Sequence, residues 1–174
     1  MKSYKIVGDR VYIRSITYDD TENIVTWRNQ KNVRSYFIYR KLFTGEIHNE
    51  WMRKFVDKDE VAQFIICRNR DNKPIGSTYL RDIDYDNLCA EYGVFIGDES
   101  ERGHGIGKEA LKLTLQFAHK ELGLRRIISR AIATNEASIQ SFLHSGFRIT
   151  EELSGVECTD GEIVDVVMME HVVE

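Results

Sequence analysis

Three glycines alternate with other residues in the stretch Arg102-Gly103-His104-Gly105-Ile106-Gly107-Lys108. Residues 91–96 before it are rich in β-branched and aromatic side chains and predict a strand. Residues 109–122 after it have apolar side chains at helical spacing. A glycine-rich turn that opens a helix leaves bare backbone N–H groups at the positive end of the helix dipole. The stretch therefore predicts a phosphate site made of backbone.

Several known patterns compete for this stretch. A Walker loop needs a glycine where Arg102 stands and a hydroxyl residue where Glu109 stands, so it fails twice. A dinucleotide fingerprint wants its glycines directly after the strand and an acidic residue at the end of the next one. Here residues 97–102 intervene, and the next predicted strand runs into Ala133-Thr134-Asn135. A plain helix-capping turn is the remaining alternative.

A third phosphate-binding pattern fits better. Arg102, Gly105 and Gly107 resemble, position for position, the Arg/Gln-x-x-Gly-x-Gly/Ala loop of the GCN5-related N-acetyltransferases. A second motif, Asn135-Glu136-Ala137-Ser138 followed by Gly146-Phe147, resembles that family's Asn-x-x-Ser…Gly-Phe segment. The resemblance extends over nearly the whole chain. The opening strand and Trp27-Arg28-Asn29 are similar to the subgroup of ribosomal-protein, spermidine and nucleotide-sugar acetyltransferases.

The order of predicted elements agrees with that fold. A strand at residues 10–14 precedes a helix that Asp19 or Asp20 caps and that ends near Asn29; a polar connection and a helix capped by Thr44 follow. Strands at 61–68, 74–81 and 88–96 form an antiparallel meander. After the glycine loop come a helix, a strand at 126–132 that is parallel to 88–96, a helix capped by Asn135 or Thr134, and strands at 147–153 and 163–170. We therefore expect one α/β (α+β) domain over residues 1–174, with a mixed, mostly antiparallel sheet of about seven strands and four helices.

The resemblance implies acetyl-coenzyme A as the acetyl donor. Backbone N–H groups of the glycine loop would hold its pyrophosphate, and the strand edge at 94–96 would pair with its pantetheine arm. A backbone N–H near Val94 would polarise the thioester carbonyl. The residues expected at the coenzyme are Val94, Phe95, Ile96, Arg102, Gly103, His104, Gly105, Ile106, Gly107, Lys108, Asn135, Ser138 and Phe142.

Acetyl transfer to an amine also needs proton transfer, because an ammonium ion has no lone pair with which to attack. Glu91 is the candidate base, since burial beside Ala90 and Tyr92 would raise its basicity; the alternative is an ordinary strand glutamate. Many relatives carry a tyrosine four residues after Ser138, where it protonates the departing thiolate. Phe142 stands there instead and can donate nothing. Ser138, Ser141 or water takes over, or the thiolate leaves unprotonated, which its pKa near ~8.5 permits.

The acceptor side of this fold lies on the first two helices, where the candidates are Trp27, Arg28, Asn29, His48 and Trp51. Arg28 beside an aromatic ring could hold a nucleotide phosphate or stack on its base. The set resembles enzymes that acetylate the 4-amino group of nucleotide-linked aminodeoxysugars. Alternatives are a ribosomal-protein N-terminus or a polyamine, for which Asp82, Asp84 and Asp86 could form an acidic cleft. A non-catalytic coenzyme-A sensor or interaction module is another, and Trp27 and Trp51 could simply be core residues.

Composition limits the other classes. A net charge of −4 favours no nucleic-acid partner, and no run approaches the ~18 apolar residues of a membrane span. Five scattered histidines predict no metal site, and three separated cysteines predict free thiols rather than a disulfide framework. The expectation is a cytoplasmic protein, with a homodimer possible if residues 164–169 form an edge strand.

Overall fold

Within residues 3–173, which the computed structural model describes, eight strands form one continuous mixed sheet. They are β1 (Lys5–Val7), β2 (Val11–Ser15), β3 (Ala62–Arg68), β4 (Pro74–Asp84), β5 (Cys89–Ile96), β6 (Arg126–Ile132), β7 (Arg148–Glu157) and β8 (Ile163–Val172). Their spatial order is β1-β2-β3-β4-β5-β6-β8-β7. The β5–β6 pair is parallel and every other neighbouring pair is antiparallel.

Five α-helices accompany the sheet in the described chain: α1 (Thr21–Asn29), α2 (Lys31–Arg34), α3 (Gly45–Trp51), α4 (Ile106–Lys120) and α5 (Glu136–Leu143). A π-helical turn (Met52–Val56) continues α3, and short 3₁₀ turns precede α1 and α4 (Tyr18–Asp20 and Glu99–Glu101). Helix α4 and Phe142 of α5 pack in one core cluster, whereas Ile24 and Trp27 of α1 pack in another.

The two core clusters lie on opposite faces of the sheet because side chains alternate along a strand. On β3, Phe64 and Ile66 belong to the cluster under α4, and Ile65 and Cys67 belong to the cluster under α1. The central strands are therefore apolar on both faces, which holds the sheet rigidly between two layers of helices.

The expected α/β class is confirmed, as are the antiparallel meander and the parallel crossover into β6. The sheet has one strand more than expected: β1, which is only three residues long and pairs with β2. A fifth helix also forms where a polar connection was predicted. Gln30 is extended (φ −60°, ψ 133°) and ends α1, and Lys31–Arg34 then makes one new turn.

The start of α1 also differs from the prediction. The Asp20 side chain does not cap this helix. Its carboxylate accepts two hydrogen bonds from Arg14 (2.8 and 2.7 Å) and one from the backbone N–H of Thr17 (2.9 Å). Asp20 is 3% exposed, so this buried pair fixes α1 to β2.

The strand expected to lie at an edge is internal. Strand β8, which contains residues 164–169, pairs with β6 on one side and with β7 on the other. The strand at this edge of the sheet is β7, whose residues are mostly exposed and include Arg148, Glu151 and Glu152. The proposed pairing of residues 164–169 between subunits was therefore wrong, because both edges of that strand are already used.

No helix within residues 3–173 has the length and apolar character that crossing a membrane requires. In the same residues, no three or more His, Cys, Asp or Glu side chains are grouped as a metal site would need. The cysteines Cys67, Cys89 and Cys158 are free thiols.

Candidate active site

A cleft of about 1630 Å³ opens where β5 and β6 separate. The two strands pair only as far as Tyr92 and Ser129. Beyond that rung β5 continues to Ile96 beside β4, and β6 continues to Ile132 beside β8. The facing edges are left with unpaired backbone groups, which must find other partners. Val94, Phe95 and Ile96 line the cleft, as predicted for residues that receive the pantetheine arm.

The glycine loop lies at the open end of this separation. Gly103 and Gly105 have φ of +75° and +76°, a left-handed conformation that side chains disfavour. Gly105 is the N-cap of α4 and provides no side-chain cap, so the first N–H groups of α4 are open. A Cβ on Gly103 or Gly107 would meet nothing within 4 Å, so the surface there is bare backbone. This geometry suits a pyrophosphate cradle.

The Arg102 side chain anchors the glycine loop. Arg102 donates from Nε to the carbonyl of Ile96 (2.9 Å) and from Nη2 to Gln30 Oε1 (3.1 Å), so it ties the loop to β5 and α1. The other predicted loop residues at the cleft are Gly103, Gly105, Ile106, Gly107 and Lys108. His104 is not among the residues that line the cleft, and its carbonyl accepts a hydrogen bond from Arg10.

The far side of the separation is formed by the start of α5. Asn135 Oδ1 accepts from the backbone N–H of Ser138 (3.3 Å), which confirms the predicted cap. Asn135, Ser138 and Phe142 all line the cleft. Phe142 is only 4% exposed and packs edge-on against Tyr92, with ring centroids 5.8 Å apart. Phe142 therefore brings no proton donor to this side of the cleft.

The acceptor side of the cleft is formed by α1, α3 and the loop 35–44 between α2 and α3. This loop contributes Tyr36, Phe37, Ile38, Tyr39 and Phe43 to the lining. Arg40, 7% exposed, holds the loop in place. Its guanidinium donates to the carbonyls of Ser35 (2.9 Å) and Phe37 (2.8 Å) and pairs with Asp160 and Glu162 of the β7–β8 turn. An aromatic wall is thereby fixed beside the sheet.

Two predicted acceptor residues do not reach the cleft. Trp27 is 7% exposed and packs against Phe95 in the core, with ring centroids 6.4 Å apart. Asn29 uses its side-chain amide to bond both the N–H (2.8 Å) and the carbonyl (2.9 Å) of Phe43. Both residues therefore shape the wall from behind, and neither lines it.

The apolar stripe of α3 and of the π-helical turn after it faces the cleft. The stripe of Ile47, Trp51 and Phe55 lines the cleft, and Ile47 is 42% exposed. The residues that are buried are His48, Met52 and Val56. His48 also lines the cleft and stacks on Trp51, with ring centroids 6.2 Å apart.

Arg28 is a buried cation at this wall. It is 7% exposed, and its guanidinium carbon lies 3.4 Å from the ring centroid of Phe37. Nη2 donates to the carbonyl of Tyr39 (3.3 Å), but Nη1 is buried without a hydrogen-bond partner. No carboxylate of the described chain forms an ion pair with it. Burial lowers the pKa of Arg28 to about 10, so the group remains charged at neutral pH.

His48 is a second unsatisfied group. The Thr21 hydroxyl donates to Asn49 Oδ1 (2.7 Å), so it accepts from the Nδ1–H of His48 (3.2 Å). That assignment leaves Nε2 with its lone pair, buried and without a partner. Burial lowers the pKa of His48 to about 4, which keeps the imidazole neutral. The ring can therefore accept a hydrogen bond from a ligand.

Glu91 lines the cleft, yet its surroundings differ from the prediction. Its carboxylate accepts from Arg81 (2.8 Å) on one side and from Arg130 (3.2 and 2.6 Å) on the other. Two guanidinium groups therefore form ion pairs with the carboxylate that was predicted to act as the base.

Gln63 and Tyr79 are polar cleft residues that the sequence analysis did not single out. Gln63 is 7% exposed and has an unsatisfied Oε1, while its Nε2 donates to Ser77 (2.9 Å). Tyr79 lies across Gly93, its partner on β5. Gln63 is a polar residue in the apolar run of β3, and this was the available signal. Tyr79 has no such signal, because β4 contains several polar residues. Unsatisfied buried atoms of Arg28, His48 and Gln63 meet in one cleft, and such atoms are uncommon in native folds.

Comparisons with known proteins agree with this geometry. The Acetyltransferase (GNAT) domain family matches residues 10–148. The uncharacterized protein MJ1062 of Methanocaldococcus jannaschii is 27% identical over 85% of this chain; the chain spans only 30% of its length. The probable N-acetyltransferase YjcK of Bacillus subtilis is 26% identical, over 80% of this chain and 81% of the relative. A spermidine N-acetyltransferase of Vibrio cholerae, solved with CoA and spermine, superposes with a TM-score of 0.87 at 19% identity, over 95% of this chain and 96% of that one.

The chain belongs to the GNAT acetyltransferase family. It is an N-acetyltransferase whose co-substrate is acetyl-CoA. The glycine loop and the separated strands provide the backbone surface that such a donor requires.

Proposed function

We propose that the chain transfers the acetyl group of acetyl-CoA to the primary amine of an acceptor that also carries a negative charge. The proposed acceptor is a nucleotide-linked aminodeoxysugar, acetylated at its 4-amino group. Arg28 is the observation that carries this proposal, because its buried guanidinium faces the cleft without a carboxylate partner. A phosphate of the acceptor would supply the missing anion and two or more charge-assisted hydrogen bonds.

The remainder of the wall suits the other parts of such an acceptor. Trp51, Phe55 and Tyr39 offer ring faces on which a base could stack. His48 Nε2 can accept from a sugar hydroxyl, and the Gln63 side-chain oxygen can accept from another. The cleft of about 1630 Å³ has room for the coenzyme and for a second elongated molecule.

A polyamine acceptor is less well supported. It would bring several positive charges towards the buried Arg28. Of the three aspartates that could have formed an acidic cleft, only Asp82 lines it. Asp84 instead accepts hydrogen bonds from Asn87 (2.7 and 2.8 Å) and from the N–H of Asp86 (2.9 Å) within a turn. A ribosomal-protein N-terminus carries no fixed anion to neutralise Arg28.

In the proposed reaction the open N–H groups of the glycine loop hold the pyrophosphate. The free edge of β5 from Val94 to Ile96 aligns the pantetheine arm, with a backbone N–H near Val94 at the carbonyl oxygen. The neutral amine attacks the thioester carbonyl, the C–N bond forms and the C–S bond breaks. Glu91 serves here to fix Arg81 and Arg130, and the acceptor reacts as the fraction that is already neutral.

The proposal is tested with a panel of amines and one variant. The panel contains a UDP-linked 4-amino-4,6-dideoxyhexose, the same sugar without its nucleotide, spermidine, and a peptide with a free N-terminus. Wild-type protein should acetylate the nucleotide-linked sugar with the highest kcat/KM. Arg28→Gln should raise the KM for that substrate by about 10- to 100-fold, as expected when a charged hydrogen bond is lost.

The variant should leave the KM for the sugar without its nucleotide unchanged, because that molecule has no anion. Arg125→Gln, at an exposed position away from the cleft, is the matched control and should behave as wild type. Preference for spermidine, or equal losses on the charged and uncharged sugars, would contradict the proposal. Binding of acetyl-CoA without turnover of any amine would favour a coenzyme sensor.

A further inference from the structure

The family resemblance leaves the proton donor to the departing thiolate open between Ser138, Ser141, water and no donor at all. Each transfer releases coenzyme A, whose sulfur must gain a proton, and Phe142 cannot provide one. Besides Ser138 and Ser141 of α5, the hydroxyl groups close to the last paired rung of β5 and β6 include those of Tyr79, Tyr92, Ser129 and Thr78. Thr78 is fully buried, and its hydroxyl donates to the carbonyl of Gly93 (3.2 Å). Their positions relative to the cleft distinguish them.

Tyr92 and Ser129 are turned away from the acceptor side. Tyr92 is 1% exposed and belongs to the core cluster under α4, with its ring against Phe142. Ser129 is also 1% exposed, and its hydroxyl donates to the carbonyl of Tyr92 (3.2 Å). Both residues line the cleft, but from the face of the sheet that carries α4, opposite the face that carries α1.

Tyr79 lies on the acceptor face, directly at the separation. A Cβ built on Gly93 would be 2.1 Å from Tyr79 Cζ and 2.2 Å from its hydroxyl oxygen. Gly93 is the first β5 residue beyond the last paired rung and precedes Val94, whose N–H is expected at the thioester. The phenol end therefore covers the α-carbon beside which the reacting carbon would lie. Gly93 is required there, since any larger residue would displace this ring.

The phenol is also available for proton transfer. No hydrogen bond joins the Tyr79 hydroxyl to another described residue, although the ring is partly buried against the cluster under α1. Burial raises the pKa of Tyr79, while Arg81, Arg28 and Arg130 oppose that rise. The hydroxyl is thus protonated at neutral pH, and three cations stand near enough to stabilise a transient phenolate.

We propose that Tyr79 is the catalytic proton donor to the departing thiolate. As the C–S bond breaks, the electron pair moves to sulfur and the Tyr79 O–H gives its proton to that sulfur. The new amide nitrogen, still carrying an extra proton, returns one to the phenolate oxygen. The balance is an amine plus acetyl-CoA giving an amide plus coenzyme A, with Tyr79 unchanged. This role is the same for any amine and does not depend on the identity of the acceptor.

The test uses hydroxylamine as the nucleophile, because it is small and neutral at neutral pH and needs no acceptor subsite. Loss of thioester absorbance from acetyl-CoA is followed after subtraction of the uncatalysed reaction. Tyr79→Phe should lower kcat by about 100-fold, the usual contribution of a general acid, with the KM for acetyl-CoA unchanged. Tyr18→Phe, at an exposed tyrosine that does not line the cleft, is the matched control and should keep its rate.

A rescue variant separates chemistry from structure. Phe142→Tyr, added to Tyr79→Phe, places a hydroxyl on α5 where many relatives carry one and should restore kcat by about 10-fold or more. A purely structural role of Tyr79 could not be replaced from another element. Thermal unfolding and acetyl-CoA binding show whether each variant is folded, and Gly93→Ala, which displaces the ring, should reproduce the loss.

The proposal is overturned if folded Tyr79→Phe keeps the wild-type rate with hydroxylamine. It is also overturned if Ser138→Ala lowers kcat by about 100-fold and Tyr79→Phe does not. It is also overturned if Phe142→Tyr fails to restore any activity. Failure of the aminosugar assay with normal hydroxylamine kinetics would reject only the proposed acceptor.

Discussion

The donor half and the acceptor half of the cleft recognise their ligands by different means. The donor half presents backbone: the N–H groups of the glycine loop and the free edge of β5 beyond Tyr92. The acceptor half presents side chains, and those with a buried polar atom that lacks a hydrogen-bond partner include Arg28, His48 and Gln63. Backbone recognition tolerates much sequence change because it needs only glycines and strand separation. Side-chain recognition depends on the individual residue and therefore sets the acceptor.

The largest effect is expected from breaking the donor half. Gly105→Glu places a side chain and a negative charge at a left-handed position in the phosphate cradle, and binding of acetyl-CoA should weaken by about 100-fold or more. Isothermal titration measures it. Gly123→Glu is the matched control, since Gly123 also has a positive φ (+69°) with nothing within 4 Å of a Cβ, near the other end of α4. Equal losses in both variants would show that backbone strain, and not the cradle, is responsible.

The acceptor half should make stability depend on pH through His48. Its pKa is about 4 in the folded protein and 6.5 when exposed, so the unfolded chain binds the proton first as the pH falls. Stability is therefore lost between pH 6.5 and 4, by roughly 3 kcal/mol at the low end. His48→Gln should flatten the urea-unfolding free energy over this range. Burial also lowers the pKa of His171, so His171→Gln is the control and should remove a smaller share. An unchanged slope in His48→Gln would contradict the prediction.

Glu91 offers a sharper contrast between two roles. If its carboxylate removes the amine proton directly, Glu91→Gln abolishes turnover. If it holds Arg81 and Arg130 in place, the amide can still accept hydrogen bonds, and we expect kcat to fall by no more than about 10-fold. The measurement is the rate with the best amine of the panel. If kcat of Glu91→Gln falls by more than about 100-fold while acetyl-CoA binds normally, Glu91 is the base.

The strand, glycine loop and helix of the donor half agree with the sequence prediction because their signals are local. The glycine spacing, the strand before it and the helix after it lie within about thirty consecutive residues, where periodicity and turn chemistry are informative. The acceptor half depends on contacts distant in sequence. The pairing of Tyr79 with Gly93 can be predicted only when the register between β4 and β5 is known. The position of Phe37 in the wall depends on the ion pair between Arg40 and Asp160 of the β7–β8 turn.

The same limit applies to α1 and α3, because the sequence did not show which of their residues would line the cleft. The spacing of Ile47, Trp51 and Phe55 shows that one face of α3 is apolar, but an apolar face can line a cleft as well as a core. In Trp27-Arg28-Asn29 the three neighbours point to different surroundings, and the residue that reaches the cleft is the charged one. A single sequence does not show that an arginine will be buried without a carboxylate.

We expect Arg28 to lower the free energy of unfolding of the ligand-free protein, because a residue that serves ligand binding need not stabilise the fold. Arg28→Met removes a buried guanidinium with an unsatisfied nitrogen while filling similar volume, and we expect the free energy of unfolding to rise by about 1 kcal/mol. Arg14→Met is the matched control. Arg14 pairs with the buried Asp20 (2.7 Å), so its loss should destabilise the fold by about 3 kcal/mol. Destabilisation of similar size in both variants would mean that Arg28 is a structural residue.

The smallest effect should come from Asn135, where the two halves meet. Its Oδ1 caps α5 through the N–H of Ser138, and a carboxylate can accept the same bond. Asn135→Ala should therefore lower the free energy of unfolding by about 1 kcal/mol, whereas Asn135→Asp should preserve it. The predicted contact with the coenzyme would come from the amide N–H₂, which both variants lack. We expect both to weaken acetyl-CoA binding by about 3- to 10-fold, as titration would measure. If Asn135→Asp binds acetyl-CoA as wild type does, the residue serves only to cap the helix, and the donor half is then recognised by backbone alone.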